Sequence, residues 1–208
     1  MLFERSLSHL AANFSYLVGD PGTKLAAVVD PSFDGRPLQR LADEAGYSVA
    51  YVLTTHHHID HSADAKRLAR DAGAKTAAHK VSPVSPELAL KEGDVLRLGE
   101  RVKIGVLHTP GHTEDSVTFE VKGKLLTGDT LFVGSFGRVD LPDSDPAKMW
   151  ESLQRIAGLD PELEVCPGHD YGPRPASTVD SEKRTNPVYR VRSARRFVDL
   201  VTGGLVET

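Results

Sequence analysis

The 208-residue sequence predicts an α/β fold, and three observations carry that expectation. Short β-branched runs alternate with stretches of helical spacing through the first half of the chain. A block from Val95 to Thr127 is almost wholly strand-like, and helical spacing returns after it. Strand-like runs also end repeatedly in loops that open on a histidine or an aspartate, so the chemistry is expected where strand ends converge. The length accommodates one substantial core and is short for two, so residues 1–208 read as a single domain.

Asn13 to Val18 and Lys24 to Val29 are apolar runs separated by Gly19-Asp20-Pro21-Gly22, whose residues favour a tight turn, so they read as a β-hairpin. Pro37 to Ala45 carries Leu38, Leu41 and Ala45 at helical spacing, with Gly46 at the C-cap. Val49 to Leu53 is the strand that delivers Thr54-Thr55 and then His56-His57-His58-Ile59-Asp60-His61. A small-residue helix over Ser62 to Ala72 follows and stops at Gly73. Lys75 to His79 is a short strand, Val81 to Leu90 a proline-punctuated loop, and Glu92-Gly93-Asp94 a turn. Strands are then expected at Val95–Leu98, Arg101–His108, Ser116–Val121 and Lys124–Thr127. Asp145 to Ala157 is helical, with Met149, Trp150, Leu153 and Ile156 facing inward, and Glu164 to Cys166 is a short strand. A polar stretch from Asp170 to Asn186 leads to a last helix over Pro187 to Val201. Its apolar positions Val188, Val191, Phe197, Val198 and Val201 pack on the chain's own core or on a second subunit of a homodimer.

Four histidines and a carboxylate within six residues are not the composition of a core. Clustered imidazoles repel one another when charged, and each needs a partner when buried and neutral. A divalent metal removes that cost, because neutral imidazole nitrogens and carboxylates are ligands that zinc and iron accept. His56 and His58, two apart beyond a strand, can present their rings on one side, with His57 directed away. Other strand ends open on His112 in Thr109-Pro110-Gly111-His112-Thr113, on Asp129 in Thr127-Gly128-Asp129-Thr130, and on His169 in Pro167-Gly168-His169-Asp170. Each of these follows a glycine, which lets the backbone bend sharply and approach a site closely. Singly, they read as loop side chains; jointly, they complete a ligand set. His9, His57, His79 and His108 read as exposed, or as hydrogen-bonded near the site without ligation, and Cys166 as a small buried apolar residue.

This recurrence, together with His56-x-His58-x-Asp60-His61, resembles the metallo-β-lactamase superfamily over nearly the whole chain. The resemblance implies a four-layer αββα sandwich, two mixed sheets face to face with helices outside. It implies that His56, His58 and His112 hold one metal, that Asp60, His61 and His169 hold another, and that Asp129 bridges them. Two divalent ions follow, zinc in the first instance, with iron or manganese as alternatives. Such ions about 3.5–4 Å apart share a water and lower its pKa toward neutrality. Asp60 is then the catalytic residue that orients this water and takes its proton. His61 and Asp129 set the chain apart from antibiotic-hydrolysing β-lactamases, and no inserted segment is long enough for a tRNA-binding arm.

Thr127-Gly128-Asp129-Thr130-Leu131-Phe132 and Pro167-Gly168-His169-Asp170-Tyr171 are similar to the glyoxalase II and persulfide dioxygenase branch. The resemblance implies, first, a thioester hydrolase similar to hydroxyacylglutathione hydrolase, in which a metal-bound hydroxide attacks a small-molecule, glutathione-derived thioester. The chain departs from full glyoxalase II by ending soon after Val201. The alternative is a non-haem iron persulfide dioxygenase acting on glutathione persulfide, with a single Fe(II) on His56, His112 and Asp129. Gly137-Arg138-x-Asp140 and the stretch from Ser177 to Asn186-Pro187 resemble that group, which carries a cysteine where Ser135 or Phe136 stands here. Hydrolysis is the preferred expectation, and a non-catalytic scaffold is disfavoured by the intact ligand set. Arg138 can anchor a substrate carboxylate bidentately or stiffen its loop by pairing with Asp140. Lys183, Arg184, Arg190, Arg192, Arg195 and Arg196 read as a solvated basic helix face.

Hydrophobic residues at 39% and charged residues at 26% are ordinary globular values, and a net charge of −4 gives no polyanion-binding signature, so no nucleic-acid partner is expected. The single cysteine excludes an intrachain disulfide and thiolate-rich zinc sites. Glu4 and His9 interrupt the N-terminus where a signal-peptide core must be apolar, and no run approaches the roughly 20 apolar residues of a membrane span. A cytoplasmic protein with no membrane partner is the resulting expectation.

Overall fold

A computed structural model describes residues 1–8 and 10–203, so the expectation for His9 lies outside the described residues. The first sheet contains β1 (Leu2–Ser8), β2 (Asn13–Asp20), β3 (Leu25–Val29), β4 (Ser48–Leu53), β5 (Lys75–His79) and β6 (Leu88–Leu90), in that spatial order. The expected hairpin is present: β2 and β3 are antiparallel, with Tyr16 opposite Val29 and Asp20 opposite Leu25. From β3 to β6 the strands run parallel, an arrangement that needs crossovers. Helix α1 (Arg36–Glu44) makes the first crossover, and α2 (Ile59–Ser62) with α3 (Ala65–Ala72) makes the second.

The second sheet is built from β7 (Val95–Leu98), β8 (Val102–His108), β9 (Val117–Val121) and β10 (Lys124–Gly128). After it come a small hairpin of β11 (Leu131–Phe132) and β12 (Ser135–Phe136) and the helix α4 (Pro146–Ala157). Strands β13 (Glu164–Pro167) and β14 (Ser177–Thr178) then complete the second sheet, in the order β14-β13-β10-β9-β8-β7. The chain continues through α5 (Val179–Thr185), a 3₁₀ turn (Pro187–Arg190) and α6 (Ala194–Val201). Among the described residues, no helix is long and apolar enough to cross a membrane.

Side-chain alternation along the strands builds the layers. Strand β2 is buried throughout: Phe14, Tyr16 and Val18 point between the sheets, and Leu17 points the other way. The inter-sheet core joins these residues to Leu53, Ile104, Val106, Phe119, Leu126 and Cys166. Leu17, Val28 and Val52 pack outward against Leu38 and Ala42 of α1 and Leu68 and Ala69 of α3. On the opposite outer face, Leu125 and Val165 meet Met149, Leu153 and Ile156 of α4 and Phe197 of α6. Helices therefore cover both outer faces of two mixed sheets, the expected αββα order.

The sequence reasoning missed several small elements. Strand β1 is a half-exposed edge strand, and β6 is a three-residue strand inside the expected proline loop, with only Leu90 buried. The polar stretch after Asp170 contains β14 and α5, whose inward residues are Val179 and, unexpectedly, Glu182. Glu182 Oε2 accepts from the Gly134 N–H and from Asn186 Nδ2, both at 2.9 Å, so this helix is anchored by polar bonds that apolar periodicity cannot reveal. The expected last helix is broken: Val191 is extended, and Ser193 caps a new helix by accepting from the Arg196 N–H. Val188, Val191, Phe197 and Val201 pack on the chain's own core. The basic residues consequently share no single helix face; Arg184 pairs with Asp180 on α5, and Arg195 lies beside Asp199 on α6.

Candidate metal centre

Strands β10 and β13 are parallel, with Gly128 opposite Pro167, and β8 runs the same way because two antiparallel steps through β9 separate it from β10. The C-terminal ends of β8, β10 and β13 thus share one edge. The end of β4 meets that edge across the sandwich, where Thr55 O accepts from the Val117 N–H at 2.9 Å. Gly128, at φ +49, packs against Thr55 with no room for a Cβ. His58 is the extended residue that opens α2, whose first turn carries Asp60 and His61.

The sequence-predicted ligands all converge here. His58 Nδ1 lies 3.1 Å from His56 Nε2 and 2.9 Å from His112 Nε2. His61 Nε2 and His169 Nε2 are 3.2 Å apart, with Asp60 Oδ2 at 3.8 and 3.5 Å from them. Asp129 stands between the groups: Oδ1 is 3.3 Å from His61 Nε2, and Oδ2 is 3.3 Å from His169 Nε2 and 3.5 Å from His112 Nε2. The trios His56, His58, His112 and Asp60, His61, His169 each bring their ligand atoms within 4.8 Å of one another.

Outward ring nitrogens are tied down in a way that turns bare lone pairs inward. His61 Nδ1 donates to Asp30 Oδ2 (2.9 Å), His112 Nδ1 to Arg138 O (2.8 Å), and His169 Nδ1 to Ala11 O (3.0 Å). Thr55 Oγ1 gives its proton to Asp30 Oδ2 at 2.6 Å and accepts from His56 Nδ1 at 3.2 Å. A second hydrogen bond of this kind fixes the tautomer and raises ligand basicity in metal sites.

Electrostatics point the same way. Burial, reinforced by His61, holds His56 well below the usual imidazole range, and burial with the adjacent His112 lowers His58. Burial opposes ionisation of Asp129, but His61 and the surrounding imidazoles outweigh it and keep the carboxyl well below its ordinary range. For His61, burial disfavours the cation, yet Asp129 and Asp30 overcome it and raise the ring well above its ordinary value. Positive charge is therefore favoured between these carboxylates, where a metal ion can supply it. Asp129 Oδ1 is buried and has no hydrogen-bond partner among the described residues. An orphaned buried carboxylate oxygen beside inward-facing imidazole lone pairs fits a metal-binding donor set.

A sequence profile of the metallo-beta-lactamase superfamily matches residues 11–169. The chain belongs to the metallo-β-lactamase superfamily. One relative in it, a hydroxyacylglutathione hydrolase of Cereibacter sphaeroides, is 36% identical over 193 residues, covering 88% of this chain and 73% of its own. The crystal structure of ETHE1 from Myxococcus xanthus superposes with a TM-score of 0.91 at 30% identity, covering 97% of this chain and 90% of that one. The crystal structure of TTHA1623 in a di-iron-bound form superposes with a TM-score of 0.76 at 30% identity, covering 88% of this chain and 98% of that one. The histidine and aspartate clusters on this superfamily fold suit a dinuclear metal site.

The remaining residues singled out in the sequence sort themselves. His57 faces away from the imidazole cluster, with Nδ1 2.8 Å from Asp115 Oδ1 and Nε2 3.1 Å from Asp143 Oδ2. His79 and His108 stack on each other with centroids 4.0 Å apart. The exposed Arg138 guanidinium forks onto Asp140 with both contacts at 2.9 Å, while its carbonyl serves His112. Cys166 is fully buried, as expected. Sequence reasoning missed Asn13, which donates to Asp60 Oδ2 at 3.1 Å, and Asp30, which accepts from His61 Nδ1 at 2.9 Å.

Proposed function

We propose that the chain is a metal-dependent thioester hydrolase similar to hydroxyacylglutathione hydrolase. His56, His58 and His112 would hold one divalent ion and Asp60, His61 and His169 a second, with Asp129 between them and zinc as the first candidate metal. The observation that carries this reading is the second cluster: His61 and His169 are buried and oriented by Asp30 and Ala11 O, and Asp60 is held beside them by Asn13. A site using one metal on His56, His112 and Asp129 has no need of that assembly. When bound, such ions lower the pKa of a shared water and polarise the substrate carbonyl. Asp60 keeps one carboxylate oxygen for the attacking water, orients it and takes its proton. Tyr171, stacked on His169 with centroids 4.4 Å apart and largely exposed, would offer its ring to a glutathione-derived substrate.

A persulfide dioxygenase is the second reading, favoured by the close superposition on ETHE1 over nearly the whole of both chains. Metal content and turnover separate the two. Two metals per chain with cleavage of S-lactoylglutathione support hydrolysis; one iron per chain with oxygen uptake on glutathione persulfide overturns it. Asp60→Asn is expected to lower hydrolysis by about 10²–10⁴-fold, the usual contribution of a positioned base, with an unchanged circular dichroism spectrum. Hydrolysis within threefold of wild type would contradict the role given to Asp60.

A further inference from the structure

His58 is the exception among the clustered imidazoles. The outward nitrogens of His56, His61, His112 and His169 all have an acceptor within 3.2 Å. Among the described residues, outward-facing Nε2 of His58 has as its nearest carboxylate Asp143 Oδ2, at 3.9 Å. That carboxylate is not adrift on a loose loop. Ser144 Oγ donates to His112 O at 2.9 Å, and the Asp145 N–H donates to Gly111 O at 2.8 Å, so the segment is fastened to the same loop that carries His112.

His57 grips the carboxylate from the other side. Its Nε2 lies 3.1 Å from the same Asp143 Oδ2, and its Nδ1 lies 2.8 Å from Asp115 Oδ1, which also accepts from Thr113 Oγ1 at 2.7 Å. Asp115 is buried, so His57 has a fixed anchor at its back. Ser62 Oγ, from the end of α2, donates to His57 O at 2.9 Å. One carboxylate oxygen is therefore held 3.9 Å from His58 Nε2, just beyond hydrogen-bond distance.

We propose that Asp143 is a positioning residue for the metal that His56, His58 and His112 would hold: its carboxylate is the acceptor nearest His58 Nε2, 3.9 Å away, and closes on that N–H when His58 ligates, while the His57 ring, set between it and Asp115, limits its position. The inference rests on the dinuclear reading above, because only that reading makes His58 a ligand. It gives His57 a purpose that ligation does not, and it assigns a role to the one outward acceptor that lies beyond hydrogen-bond distance. Loss of such a partner typically weakens metal binding 10–100-fold.

Asp143 is exposed on a loop, so Asp143→Ala and Asp143→Glu are expected to fold normally. Metal-free wild type and both variants would be titrated with Zn(II) against a chromogenic chelator. Asp143→Ala is expected to weaken one binding step 10–100-fold and leave the other within twofold, with Asp143→Glu recovering most of the loss. In Co(II)-loaded protein, one solvent-exchangeable, hyperfine-shifted imidazole N–H resonance should move or broaden in Asp143→Ala alone. Equal weakening of both steps, or an unchanged titration and spectrum, would overturn the proposal. Stoichiometry of the wild type judges the dinuclear reading separately: uptake of a single ion refutes that reading, whereas the ratio of wild-type to Asp143→Ala affinity judges Asp143.

Discussion

Asp30 accepts from the Thr55 N–H at 2.7 Å, from Thr55 Oγ1 at 2.6 Å and from His61 Nδ1 at 2.9 Å, while Thr55 Oγ1 accepts in turn from His56. One buried carboxylate thus orients an imidazole in each candidate metal-binding trio. Its backbone sits at φ +49, a conformation asparagine tolerates better than most residues, so Asp30→Asn removes charge and acceptor capacity with little backbone strain. An amide cannot satisfy all of these donors, and leaving a buried donor unpaired costs about 1–3 kcal/mol. An unfolding free energy lowered by that amount, read as a lower urea midpoint at unchanged slope, is expected, together with weaker metal binding; an unaltered midpoint would contradict the anchoring role. Cys166 gives a prediction of opposite kind. Burial, with Glu164 nearby, pushes its thiol up to about 12, so a disulfide reagent at neutral pH should label it only after denaturation. The convergence of the candidate ligands was legible because metal chemistry restricts both residue type and spacing. Asp30, Asn13 and Asp143 were not, because each is a lone polar residue whose partner lies far away in sequence.

Elements were legible where burial repeats along the chain. Helix α4 shows Met149, Leu153 and Ile156 at helical spacing, and β2 to β5 read as apolar runs. Strands β6 and β14, of three and two residues, are too short to express a period, and α5 is held by Glu182 rather than by an apolar stripe. Glycine marks where elements press on the site. Gly111, at φ +140, has its Cα against the backbone of Met149 in α4, so a Cβ there collides with backbone atoms that cannot rotate away. Gly111→Ala is expected to push the His112 loop off α4, costing more than the about 2 kcal/mol that backbone strain alone can reach and depleting any metal that His112 helps to hold. Gly73→Ala is the control: that glycine is also left-handed, yet nothing lies within 4 Å of the added carbon. Its cost should be only the roughly 1–2 kcal/mol of backbone strain, with metal content intact. Full metal occupancy and wild-type thermal stability in Gly111→Ala would refute the packing argument.

At the scale of the molecule, the site lies across the seam between two sheets. His56, His58, Asp60 and His61 follow β4 of the first sheet, whereas His112, Asp129 and His169 follow β8, β10 and β13 of the second. Between them the seam is closed by an isolated bridge of Asn13 to His169 and by the hydrogen bond from Val117 to Thr55. The apolar interior binds the sheets over most of their area, but this edge is polar. Without ions it confronts buried imidazole lone pairs with one another and leaves Asp129 Oδ1 unpartnered. Metal ions would thus act as a staple between sheets as well as supplying chemistry. Ligand that binds only the folded state at a thousandfold above its dissociation constant stabilises by about 4 kcal/mol. For a chain of this size each kcal/mol shifts the melting temperature by about 2–4 °C, so stripping tightly bound metal should lower it by roughly 8–16 °C. Scanning calorimetry with and without a chelator tests this, and re-addition of Zn(II) should restore the original transition. Asp129→Ala, which removes the carboxylate between the two trios, should melt near the chelated wild type and respond far less to the chelator. A melting temperature indifferent to chelation would mean that the apolar interior alone holds the sheets together.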